Sequence, residues 1–181
     1  SSAASDVYKR QRFHRARNIA GAKEMNFANI GINKMKAVAI KSILANEPLW
    51  FAVNMGTDQS VEHGVMEVEL YDYKRLFDLK LDLTKAERSL FGAGASSHAM
   101  VLTGVDLQND KPRKWLVENS WGDSKGKKGK WTLYDAWFTE HVYTVIVHRK
   151  HVPPETLRIF DQKAVVLPAW YPGAQGIEKS G

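Results

Sequence analysis

The stretch from Ser97 to Gly122, SHAMVLTGVDLQNDKPRKWLVENSWG, decides the fold. His98–Val105 is an apolar run of strand length. Lys114–Asn119, KWLVEN, alternates apolar and polar with period two, as a half-buried strand does. Between them Gln108–Arg113, QNDKPR, has the composition of a turn. Two strands joined this way form an antiparallel hairpin. That brings His98, at the start of the first strand, beside Asn119, at the end of the second. An imidazole beside a carboxamide is a working unit. The amide oxygen accepts a hydrogen bond from one ring nitrogen, fixes the tautomer, and aims the other nitrogen at a nucleophile. Trp121, two residues after Asn119, is expected to be buried and to cover the His98–Asn119 bond, excluding water and strengthening it. Gly122 lets the backbone turn tightly beside the indole.

Outward from this hairpin the chain reads as α+β. On the N-terminal side, Ile32–Ala45 has apolar Met35, Val38, Ala39 and Ile43 at helical spacing, with Lys34, Lys36, Lys41 and Ser42 between them. Asn46-Glu47-Pro48 ends that helix. Leu49–Asn54, LWFAVN, reads as a buried strand and Gly56–Gly64 as a loop. Val65–Tyr73 alternates in part, Leu76–Leu83 is of mixed character, and Lys85–Phe91 makes one or two helical turns ended by Gly92 and Gly94. Beyond the hairpin come a Gly/Lys loop (Gly122–Gly129), a strand (Lys130–Tyr134), a capped helical turn (Asp135–Glu140) and a last strand (Tyr143–Val147). A helix followed by a strand and then by several antiparallel strands implies a twisted sheet or open barrel with an N-terminal helix.

Composition narrows the chemistry. The 181 residues suffice for one domain with a real core. There is no cysteine, which excludes disulfides, thiolate metal sites and a thiol nucleophile within this chain. The six histidines form no HExxH pair, and His148 and His151 with Arg149 and Lys150 between them read as solvated surface, so no metal site is expected. No apolar run approaches the ~20 residues of a membrane span. The net charge of +6 is concentrated: residues 1–45 hold nine Lys/Arg against two acidic residues. Such a quarter is a solvated face or an arm that holds nucleic acid by counterion release. Lys125, Lys127, Lys128 and Lys130, with Gly126 and Gly129, precede a strand rather than a helix, which argues against a phosphate cradle and for a solvated loop.

The joint pattern resembles the C-terminal half of papain-like cysteine peptidases, whose triad is Cys-His-Asn. The closer resemblance is to the bleomycin hydrolase/aminopeptidase C branch. It rests on Asn54–Gly56, Leu70–Tyr73, Thr84–Arg88, Ser97–Thr103, Lys114–Gly122, Glu140–Val142, Arg149–Pro153 and Val166–Trp170, and covers roughly Asn33 to Trp170. The resemblance implies that His98 is the catalytic base and acid and Asn119 its orienter, with Trp121 and Gly122 in support. It implies no cofactor, peptide substrates with a free N-terminus, a homo-oligomer (a hexamer), a cytoplasmic setting and no membrane.

The family's nucleophilic Cys and its oxyanion-hole Gln precede the resembling region, so the chain is expected to be a fragment, inactive alone. Ser1–Gln11 has no hydrophobic period, and Asp6–Gln11 matches one reading frame of a sequencing-library transposon end. Residues 1–11 are therefore expected to be a non-native or disordered terminus, 12–170 the C-terminal portion of a papain-like peptidase domain, and 171–181 a tail. That tail departs from the family pattern at Tyr171 and after. The rival expectation is a noncatalytic, cysteine-free relative that binds nucleic acid through the basic N-terminal quarter.

Overall fold

The structure, a computed structural model, describes residues 8–13, 25–78 and 83–167. In chain order the elements are β1 (Arg10–Phe13), β2 (Phe27–Ala28), α1 (Ile32–Leu44), β3 (Leu49–Val53), β4 (Gln59–Ser60), β5 (Val65–Met66), α2 (Tyr73–Phe77) and α3 (Lys85–Leu90). They continue with β6 (His98–Gln108), β7 (Lys111–Glu118), β8 (Lys130–Tyr134), α4 (Asp135–His141), β9 (Val142–Ile146), α5 (Pro154–Leu157) and β10 (Val165–Leu167). The order β4-β5-β8-β7-β6-β3-β9 makes one seven-stranded sheet, and β10-β1-β2 a small second one. The large sheet is antiparallel except where β5 runs parallel to β8.

Period-two alternation selects the buried face. Leu49, Phe51 and Val53 of β3, Met100 and Leu102 of β6, Trp115 and Val117 of β7, and Trp131 and Leu133 of β8 are all buried. Onto this face pack Ala39 of α1 and Trp137 and Phe138 of α4, in one contiguous core. Each large apolar side chain taken from water contributes about 1.5–3 kcal/mol, so this layer dominates stability. The helical spacing of α1 is as expected, with Val38 and Ala39 buried and Met35 and Ile43 packed at the margin. It ends at Leu44 with Ala45 as C-cap; Asn46 beyond it adopts the left-handed conformation (φ 58°), and the Ser42 hydroxyl donates to the Glu47 carbonyl at 2.8 Å.

Several local readings differ. Lys36 and Ser42 fall between the apolar positions of α1, yet both are buried. The Lys36 ammonium reaches the Asp135 carboxylate at 2.6 Å and the Thr139 hydroxyl at 2.8 Å, and the other Asp135 oxygen accepts from the Trp115 indole N–H at 3.2 Å. Asp135 thus serves α1 and β7 from the first turn of α4, whose N-cap Tyr134 makes no side-chain capping bond. The hairpin turn is shorter than its composition suggests. Asn109 and Asp110 alone form it, both at positive φ (51° and 59°), residue types that tolerate this conformation. The strands consequently run to Gln108 and from Lys111. Among its described residues, the Val65–Leu83 region holds the two-residue β5 and the short α2. Asp72 caps α2 by accepting the Arg75 N–H at 3.0 Å.

Arg10 and Gln11, set aside on sequence grounds as terminus, lie in β1. They pair with β2, and Gln11–Phe13 pairs in parallel with Val165–Leu167. The Arg10 guanidinium donates to the Asn26 side-chain oxygen and to the Phe160 carbonyl, both at 3.0 Å. The cause is tertiary: Phe160, for one, lies 150 residues from Arg10 in sequence. The tail after Leu167, including Trp170 and Tyr171, lies outside the described residues, as do residues 1–7.

Candidate active site

The pleat that builds the core also builds the site. On β6, His98 shares the inward parity of Met100 and Leu102. On β7, Trp115 and Val117 point inward, and Asn119 follows with the same parity just past the strand end. The register pairs Val101 with Glu118 and Leu102 with Val117, so His98 and Asn119 meet at one end of the hairpin. Their contact is direct: the His98 Nε2–H donates to the Asn119 Oδ1 at 2.9 Å. The Ser120 backbone N–H donates to the same oxygen at 2.8 Å. A backbone N–H requires an acceptor, so it fixes which end of the amide faces His98. An oxygen that only accepts then requires the proton on Nε2, which leaves Nδ1 with a lone pair. Asn119 is buried, and its own N–H donates to the Gly129 carbonyl at 3.2 Å. Its Nδ2 is buried with no partner among the described residues.

Two further bonds hold the approach to His98. The Ser97 N–H donates to the Val53 carbonyl at 2.8 Å, and the Ser97 hydroxyl accepts the Met55 N–H at 3.0 Å. Strand β3 therefore anchors His98, since Val53 is also its cross-strand partner.

Trp121 lies against His98, ring centroids 5.0 Å apart and planes tilted by 33°. Its expected burial is not found, because it remains 38% exposed. The imidazole lies on one side of the indole, and Trp131 meets it in a T-shaped contact with ring centroids 5.6 Å apart. Gly122 has φ 82°, with nothing within 4 Å of a Cβ built there, so backbone conformation and not space calls for glycine.

A charged cluster that sequence reading missed ties α3 to α4 and β9. The Glu140 carboxylate accepts the Lys85 N–H at 2.9 Å and the Arg88 guanidinium at 3.1 Å, and Arg88 also donates to the Glu140 carbonyl at 2.6 Å. The Lys85 ammonium donates to the Val142 carbonyl and sits 4.8 Å above the Tyr143 ring. Burial pushes Lys85 down to about 8. His141, stacked on Trp137 at 4.5 Å, is pushed down to about 4 by burial and then by Arg88 and Lys85. Its Nε2 is 3.6 Å from Asp58, whose carboxyl is raised by burial. With the imidazole neutral near pH 7, this contact is not an ion pair there. The local sequence signal is Thr84-x-x-Glu87, which forms a capping box at the start of α3.

The reading of His148 and His151 as solvated surface is corrected for His151, which is buried and meets the Glu47 carboxylate at 2.8 Å. Glu47 is drawn down to about 2 by its hydrogen bonds from Lys150 and then His151. Among the described residues no group of three or more His, Cys, Asp or Glu could hold a metal ion. Of the basic N-terminal quarter, Lys36 and Arg10 are engaged as described, and Lys34 lies 4.6 Å above the Tyr8 ring. No helix among the described residues is long and apolar enough to cross a membrane.

Comparisons with known proteins identify the family and the fold. The model of the Peptidase C1-like family matches residues 3–174, a range that begins inside the stretch set aside as terminus. Human bleomycin hydrolase is 38% identical over 159 residues, 86% of this chain and 35% of that protein. Aminopeptidase W of Lactobacillus delbrueckii subsp. lactis is 38% identical over 153 residues, 84% of this chain and 35% of that protein. The crystal structure of PepW from Lactobacillus rhamnosis HN001 superposes with a TM-score of 0.90 at 36% identity, covering 95% of this chain and 39% of that one. The chain thus spans about a third of the length of the curated relatives it matches, and it contains no cysteine. With the family model covering nearly all of it, the chain belongs to the Peptidase C1-like family.

Proposed function

We propose that this chain supplies the proton-transfer half of a cysteine-type aminopeptidase site. In this reading His98 is the catalytic base and acid, Asn119 orients it, and Trp121 and Gly122 support the pair. The thiolate comes from polypeptide outside these 181 residues. The observation that carries the reading is the 2.9 Å bond from His98 Nε2 to Asn119 Oδ1, which leaves Nδ1 free to exchange a proton with a nucleophile. Attack of a thiolate on a peptide carbonyl forms a tetrahedral intermediate. The imidazolium then gives its proton to the leaving amine, and water releases the acyl group. The aminopeptidase names of several relatives support peptides with a free N-terminus as substrates. The homo-oligomeric, hexameric assembly and cytoplasmic setting implied by the resemblance belong to the same proposal.

The test is a chimera in which this chain replaces the matched third of aminopeptidase W. Aminoacyl fluorogenic substrates should be turned over, and His98→Ala should reduce turnover to background. The chain alone should show no turnover sensitive to a thiol-alkylating reagent, because the nucleophile is the thiolate itself. A folded chimera as active with His98→Ala as without it would refute the assignment.

A further inference from the structure

We infer that the Gly122–Gly129 loop and Lys130 form a cationic rim of the candidate site that selects peptides carrying acidic side chains. This rests on the reading of His98 and Asn119 as the site. In the sequence the loop reads as a plain solvated hairpin; three structural observations change that. First, the loop is tied to the site residues. It leaves directly from Trp121, whose ring lies against His98, and returns so that the Gly129 carbonyl accepts the Asn119 N–H at 3.2 Å. Lys130 then stands opposite Glu118, the residue before Asn119, in the β7–β8 backbone register.

Second, the loop is preorganised. The Gly126 N–H donates to the Val61 carbonyl at 3.0 Å, Gly129 N–H to Lys125 at 3.1 Å, and Lys127 N–H to Lys130 at 2.9 Å. Gly126 and Gly129 are at positive φ, and a Cβ on Gly126 would meet the Lys130 carbonyl at 2.8 Å and the Trp131 indole at 2.9 Å, so this path needs glycine. A charged loop already ordered loses less entropy on binding than a disordered one.

Third, its cations are available. Elsewhere Lys36, Arg88, Arg113, Lys114 and Lys150 have carboxylate partners. Lys125, Lys127, Lys128 and Lys130 are exposed, with no side-chain partner among the described residues, against only Glu118 and Asp123 nearby in sequence. The exposed indole of Trp121 links this rim to His98, giving an extended peptide an apolar platform followed by positive charge. A peptide is the occupant argued for because the rim borders a His–Asn pair suited to acyl transfer. The loop also has no arginine, the residue suited to bidentate phosphate recognition.

The experiment is titration of the 15N-labelled chain, followed by NMR, with Ala-Ala-Glu-Glu-Ala amide, with the Gln-Gln counterpart and with a single-stranded dT oligonucleotide. In about 20 mM salt the acidic peptide should bind at least about three-fold tighter than the Gln peptide, the gain of one or two exposed ion pairs. The difference should close as salt approaches about 0.5 M. Resonances of the Lys125–Lys130 amides, the Trp121 indole and the His98 ring should move together. The double variant Lys127→Gln, Lys128→Gln should abolish the preference and leave binding of the Gln peptide unchanged. Equal affinities with shifts at Trp121 and His98 overturn the acidic preference and leave the site reading standing. Acid-selective shifts confined to the loop, with His98 and Trp121 still, overturn the rim and count against the site reading as well. No binding of either peptide, or tighter binding of the oligonucleotide than of the acidic peptide, also overturns it.

Discussion

Asn119→Ala is the substitution that separates orientation from chemistry. It removes one oxygen that accepts two hydrogen bonds, from His98 Nε2 at 2.9 Å and from the Ser120 N–H at 2.8 Å. A neutral hydrogen bond contributes about 1 kcal/mol net, and at RT of about 0.59 kcal/mol that is roughly a five-fold change in population. The neutral His98 ring should therefore lose about five-fold of its preference for the Nε2–H tautomer. The 15N shifts of the imidazole measure this directly in the isolated chain. The same change should lower stability by about 1 kcal/mol, because the buried Asn119 side chain gives up its hydrogen bonds while the exposed Ser120 N–H can turn to water. In the active chimera it should cost about five-fold in kcat/KM, where His98→Ala leaves only background. Asn119→Asp keeps an acceptor and should keep the tautomer. An unchanged Nε2–H population in Asn119→Ala would refute the reasoning, as would a loss in kcat/KM matching that of His98→Ala.

Three further expectations concern the charges around the site. Lys36→Met leaves the Asp135 carboxylate without its ammonium partner in a largely buried place, and should cost about 3 kcal/mol, or roughly 6–12 °C in Tm by calorimetry; a shift below 2 °C would deny that the contact holds α1 to α4. Lys85 has its pKa depressed by burial from 10.5 to about 8, so between these values the unfolded chain binds more protons and stability rises with pH. Wild type should therefore gain up to about 3 kcal/mol relative to Lys85→Met between pH 8 and 10.5 in urea unfolding, and parallel pH profiles would contradict the burial of that charge. His141, depressed from 6.5 to about 4, works in the same direction at lower pH: its contribution is complete above 6.5 and lost as pH falls to about 4. His141→Phe, which keeps a ring against Trp137, should flatten that acid-side decline, and an unaltered decline would assign it to other groups.

The sequence by itself determined the elements whose pattern is local. Alternation in HAMVLT and KWLVEN set the two strands, their inward faces and therefore the His98–Asn119 pairing, because side-chain parity along a strand is fixed by the pleat. Helical spacing likewise set α1. The sequence could not place β4 and β5, each two residues long and too short to show a period, nor the parallel pairing of β5 with β8. It could not place β9 beside β3, or β1 beside β10 from the other end of the chain, since such pairings depend on the whole layer closing. Tertiary structure also decided the fate of charge. Lys36, Lys85, His141 and His151 look like surface residues in sequence. Each is buried wholly or in large part, because carboxylates and carbonyls far along the chain (Asp135, Val142, Glu47) or an aromatic face (Trp137) reach them. Trp121 went the other way. An indole that sequence reading sends into the interior stays partly exposed beside His98, because it sits on the loop that leaves the sheet rather than on a strand within it.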